Sequence, residues 1–205
     1  MIRRSFILIS LLAILYGCGS TVKSALSPRY NEFRPYTVAV APVIWKGQAE
    51  GEDKNIAQLF REMTADKLRA MNYRVLPLDA VDDKVRQLGP EKAKEAGPKE
   101  LAADLNADAV LYIRITGWDK DRVATYASLV VGAAFELYSS GAEMLWRADY
   151  STKESDFRLE KKPLELAVIK IYEPRVQRFI DAVFSTLPEG SAPAQAQKTF
   201  FQWLP

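Results

Sequence analysis

The chain holds one cysteine, Cys18, and no histidine among its 205 residues. One thiol cannot close a disulfide within a copy, and the two commonest zinc ligands are missing in any useful number. The fold must therefore be held by its apolar core alone. The apolar fraction of 48% is ordinary for a globular domain and suffices for such a core. The missing histidine also removes the commonest general acid and base. Neither a cofactor nor a transition metal is expected.

The position of Cys18 is itself informative. Arg3 and Arg4 precede an apolar run from Phe6 to Leu15, broken only by Ser10. The run is about ten residues long, right for an export signal and short of the ~20 that span a bilayer. Leu15-Tyr16-Gly17-Cys18 then looks like a lipobox, with cleavage expected between Gly17 and Cys18 and lipidation of Cys18. Tyr16 is larger than the residue usual at that place. Gly19 and Ser20 follow, without the aspartate that resembles an inner-membrane retention mark, so outer-membrane delivery is expected. Several acyl chains on one residue make a stable anchor where one chain would not.

The sequence divides into a signal peptide at 1–17, a lipidated cysteine and tether at 18–35, a periplasmic α/β domain at 36–188 and a flexible tail at 189–205. The chain carries 28 basic and 26 acidic residues, and loss of Arg3 and Arg4 brings the mature chain to neutrality. Neutrality argues against a nucleic-acid partner, which calls for clustered positive charge.

Tyr36 to Val43 alternates as a strand, with Val38 and Val40 on one face and Thr37, Ala39 and Ala41 on the other. Trp45 to Lys54 reads as a loop. Asn55 is placed to cap a helix whose apolar face carries Ile56, Leu59, Phe60, Met63, Leu68 and Met71, with Arg61 among its polar residues. Asn72 suits a left-handed cap, and Tyr73–Leu76 a second strand, which makes a right-handed βαβ unit. Short helices follow at Ala80–Leu88 and from Pro98 to Leu105. Ala109–Thr116 is apolar on both faces in its first half and is expected to be central. Trp118–Arg122 reads as a turn. Val123–Tyr138, with a bulge or bend at Gly132, and Met144–Ser151 complete an antiparallel meander. Leu164–Tyr172 is apolar, and Pro174 opens or kinks a helix bearing Val176, Phe179, Ile180, Val183 and Leu187. The class is α/β (α+β), with a mixed sheet of about five strands and a C-terminal helix.

Chemistry-bearing patterns are scarce. Asp82-Asp83, Asp119 with Asp121, and Glu50–Asp53 lack the ligand ladder of a calcium loop and read as solvated acids. Ser128, Ser139 and Ser140 have no histidine base, and no enzyme activity is expected. The aromatics Trp118, Tyr126, Phe135, Tyr138 and Trp146 read first as cross-strand packing. Phe200, Phe201 and Trp203 make an apolar tail that either folds back or docks on a partner.

Four stretches carry a resemblance: Arg34–Val43, Met71–Val81, Ala107–Ile113 and Ser140–Trp146. Together they are similar to an uncharacterised family of bacterial outer-membrane lipoproteins. The resemblance implies a fold related to the curli-secretion channel lipoprotein (CsgG-like) and to the N-terminal domain of TolB. It brings no reaction and no catalytic residues. It implies a non-catalytic binding or accessory subunit in envelope assembly or export, with a CsgG-like lipoprotein as one candidate partner. The alternative is a periplasmic carrier of a small molecule or lipid. A homodimer is a further expectation, because Val168, Val176, Phe179, Ile180 and Val183 read as more apolar surface than one small sheet can cover.

Mass spectrometry of the mature protein is predicted to find acylated Cys18 as residue one, and Cys18→Ser to leave an unprocessed or soluble species. An unmodified N-terminus would defeat the lipoprotein reading.

Overall fold

A computed structural model describes residues 21–45, 52–88, 97–119, 128–155 and 167–191. The expected signal peptide with Gly17, the expected lipidation site Cys18 and the apolar tail lie outside the described residues. So do Glu50, Asp121 and Tyr126.

Seven strands form one mixed sheet. In chain order the elements are β1 (Lys23–Leu26), α1 (Tyr30–Phe33), β2 (Thr37–Val40), β3 (Ile44–Trp45), α2 (Glu52–Ala70) and β4 (Arg74–Val75). Then come α3 (Leu78–Leu88), α4 (Pro98–Leu105), β5 (Ala109–Asp119), β6 (Ser128–Ser139), β7 (Met144–Ser155) and α5 (Ala167–Phe184). The sheet order is β1-β7-β6-β5-β2-β4, and β3 extends the pairing along β5. The β2-α2-β4 unit is parallel, β5 adds in parallel beside β2, and β5-β6-β7 is the expected antiparallel meander.

The alternation in β2 sends its residues to two cores. Val38 and Val40 join the main core with Phe60, Leu68, Phe135, Trp146 and Phe179. Ala39 and Ala41 join a smaller core with Val81, Leu101, Ala102 and Val110. Helices α2 and α5 thus cover one face, while α3 and α4 cover β2 and the start of β5 on the other. Small alanines on the second face let those short helices approach closely.

Local chemistry sets the ends. Asn72 has φ 66° and closes α2 as a left-handed cap; Asn106, at φ 50°, does the same for α4. Pro98 occupies the first turn of α4, where a missing N–H costs nothing. A register shift on β5 lies between Ile115 and Gly117, so Gly117 faces Gly132 across β6. A Cβ at position 132 would stand 2.9 Å from Thr116 Oγ1, which is why glycine sits at this crossing.

Several expectations are corrected. Within the segment expected as a tether, residues 21–35 are not free: β1 pairs antiparallel with β7, and Tyr30 is 5% exposed. The expected mixed sheet of about five strands is present, and the short strands β1 and β3 bring it to seven. Helix α2 starts at Glu52, which puts Asn55 inside its first turn instead of at the cap. Trp118 continues β5 instead of turning the chain, since its ring packs on Phe60 and Tyr172. Pro174 falls inside α5 and does not open it, the second of the two placements expected.

The dimer surface is also corrected. Val176, Ile180 and Val183 are 0% exposed and Phe179 1% within a single chain. The Phe179 ring lies 5.7 Å from Phe60 and 4.9 Å from Tyr150, and Phe184 lies 5.4 Å from Trp146. The wide apolar stripe is filled by α2 and by the long strands β6 and β7, which leaves none of these side chains for a second copy. Val168 falls in the opening turn of α5, and its side chain is outside the described residues.

Phe179→Ala is accordingly predicted to cost about 3–5 kcal/mol, the range for a buried phenylalanine truncation. It should lower the denaturant midpoint and leave the sedimentation coefficient of the folded protein unchanged.

Candidate functional site

Parallel strands collect ligand sites beyond their carboxyl ends. At that end of β2 lies a cleft of about 270 Å³, lined by Pro42, Val43, Trp45, Lys54, Ala57, Gln58, Arg61 and Asp82. Arg61 is its key member. It sits on α2 and is 3% exposed, although the sequence pattern places it on the polar face.

The reason is a gap in the sheet ladder. Arg74 N–H donates to Tyr36 O and Leu76 N–H to Val38 O. The next donor in this parallel register would be Leu78, toward Val40 O. Pro77 turns the chain into α3 before that bond can form. Arg61 supplies the missing donors: Nε and Nη2 donate to Val40 O at 3.2 and 2.9 Å. Its Nη1 donates to Asp82 Oδ1 of α3 at 2.6 Å. One guanidinium thus ties α2, β2 and α3 together, and Asp82 neutralises it. Asp82 is therefore an ion-pair partner and not the solvated acid expected, whereas Asp83 pairs with Arg86 at the surface as a solvated acid does. Pro77 at a parallel strand end was the sequence signal for a side-chain donor in this position.

A second surface is the sheet face that α3 and α4 leave uncovered. Arg114, Glu136, Arg147 and Asp149 form a charged ladder across β5, β6 and β7. Arg147 Nε lies 2.8 Å from Asp149 Oδ2, and Arg147 Nη1 3.4 Å from Glu136 Oε1. Arg114, Arg147 and Asp149 are more than two-fifths exposed, so each pair contributes at most about 1 kcal/mol. Where the ladder meets α3 and α4, the Tyr112 ring packs edge-on to Tyr138 at 6.0 Å. Burial, helped by the neighbouring Tyr138, pushes the Tyr112 hydroxyl up to about 12.

The remaining expected residues are structural or undescribed. Phe135 and Trp146 are core, with Trp146 Nε1 donating to Thr186 Oγ1 at 3.1 Å. Asp53 lies in the first turn of α2, and Asp119 is the last residue of β5. Among the described residues, no group of three or more acids, cysteines or histidines could hold a metal ion. No described helix is long and apolar enough to cross a membrane.

No protein-family model matches the chain, and no curated protein is significantly similar to it. Among solved structures, the PelC dodecamer from Paraburkholderia phytofirmans is 19% identical, with a TM-score of 0.49 over 80% of this chain and 97% of that one. Lipoprotein GNA1162 from Neisseria meningitidis is 24% identical, with a TM-score of 0.49 over 69% of this chain and 96% of that one. The hypothetical protein CT253 from Chlamydia trachomatis is 16% identical, with a TM-score of 0.45 over 72% and 94%. A lipoprotein thus stands among the neighbours of this chain.

Arg61→Ala is predicted to cost about 3 kcal/mol, because it orphans Val40 O and removes a buried charge-assisted bond. Asp82→Asn should cost about 1 kcal/mol or less, since water reaches the carboxylate. Urea denaturation of the two variants checks the ratio.

Proposed function

We propose that the chain is an outer-membrane lipoprotein, anchored through Cys18 and facing the periplasm, that works as a non-catalytic binding or accessory subunit in envelope assembly or export. The observation that carries this reading is the lone cysteine directly after an export signal, Leu15-Tyr16-Gly17-Cys18. The relation to the curli-secretion channel lipoprotein and to TolB belongs to the same proposal, and a CsgG-like lipoprotein is the partner class it favours. The cleft supports binding in place of catalysis, because its one buried cation is already engaged by Val40 O and Asp82. Its volume of about 270 Å³ lies just under the ~300–1,000 Å³ usual for small-molecule pockets and well short of a lipid carrier.

Affinity capture of the acylated protein from gently solubilised membranes tests the reading. Envelope proteins in stoichiometric amount are expected. A co-purifying metabolite or lipid, with no protein, would move the function to the carrier class.

A further inference from the structure

We propose that the domain is seated directly on the membrane, with the carboxyl end of its parallel strands toward the lipid headgroups. The inference rests on lipidation of Cys18 and deepens that reading by naming the surface that meets the membrane.

The first support is the length of chain left free. A tether from Cys18 to Pro35 would reach about 60 Å when extended. The fold consumes most of it. Val22 packs against the main core, and β1 begins at Lys23. From Cys18 to Val22 the chain can span only about 14 Å. The domain therefore stays against the surface that holds the lipid.

The second is direction. β1 runs antiparallel to β7, with Lys23 opposite Asp149 and Leu26 opposite Trp146. The chain before Lys23 therefore leads along β7 toward Ser155. β2, β3 and β5 end on that same side. From Asp149 to Ser155 the strand rises about 20 Å, so an extended lead from Val22 brings Cys18 nearly level with the strand ends. Turned the other way, it stops well short of the β6–β7 hairpin at Ser140, about 25 Å from Val22 along the sheet.

The third is composition. At the carboxyl end Ile44 is 44% exposed, and the half-buried rings of Trp45 and Trp118 meet edge-on at 6.5 Å. Tryptophan favours the headgroup layer, where an apolar ring and a polar N–H are both satisfied. Lys54 and Lys153 add exposed amines at this end. The Arg61 cleft lies here too, so its partner would be met within the layer next to the membrane.

The test uses the full acylated protein in vesicles of phosphatidylethanolamine and phosphatidylglycerol, with an acceptor dye on the headgroups. A thiol-reactive donor is placed by Lys54→Cys, Lys153→Cys or Ser140→Cys, all at exposed positions; acylated Cys18 has no free thiol to react. Energy transfer from positions 54 and 153 should exceed that from 140 several-fold, and a long glycine–serine spacer inserted after Ser20 should erase the difference. Equal transfer from all three positions, or transfer from 54 as weak as from 140, would overturn the seating. With Cys18 acylated by mass spectrometry, that result leaves the lipoprotein reading intact. An unacylated Cys18 overturns both.

Discussion

The structure depends on the backbone pairing of β5. This strand bonds to β2 and β3 in parallel on one side and to β6 antiparallel on the other. It joins a βαβ half to a meander half, and neither half closes a core without it. Its first residues are buried on both faces: Ala109, Leu111 and Ile113 toward α2 and α5, Val110 toward α3 and α4. A strand with no solvated face at its start demands a helix layer on each side. Past Tyr112 the second face turns to Arg114 and Thr116, and the second layer stops there. Asp108 sets the register, since its Oδ2 accepts from Tyr36 N–H at 3.1 Å and Thr37 N–H at 2.7 Å.

A buried hydroxyl chain holds the two ends of the domain to this frame. Tyr73 OH donates to Pro188 O at 2.6 Å, so Tyr30 OH must donate to Tyr73 at 2.5 Å. Burial raises the pKa of both phenols, and of Tyr73 the more. Both therefore stay protonated and able to donate at any ordinary pH. The link runs from α1, just after β1, to the turn following α5. It explains why residues 21–35 behave as part of the domain. Gly190 completes the closure, because its N–H donates to Met71 O at 2.8 Å and a Cβ there would strike Asn72 O.

Arg61 answers the same accounting of backbone groups at the other end of β2. A proline that ends β4 leaves a carbonyl of β2 without its ladder donor, and a helix side chain fills the place. The candidate cleft is built around that repair. Its floor is the Arg61–Asp82 ion pair, with the guanidinium also bonded to Val40 O. The charged ladder on the open face is likewise paired within itself, through Arg114, Glu136, Arg147 and Asp149.

The periodic elements were legible in the sequence because their burial follows their own pattern. Val38 to Ala41 alternate between two cores as read, Ala109–Ile113 is central, and Pro98–Leu105 has the bounds that proline and Asn106 dictate. Three features were decided only by the tertiary structure. Lys23–Leu26 has no alternation to read, since all four residues are exposed and only β7 makes them a strand. Arg61 carries the same charge as the surface residues Lys67 and Arg69 of its helix, and only the orphaned Val40 O draws it inward. The stripe from Val176 to Leu187 was legible as apolar but not as covered. Hydropathy states that a face must be buried; which surface buries it depends on strand lengths and layer order, and those are set by contacts distant in sequence.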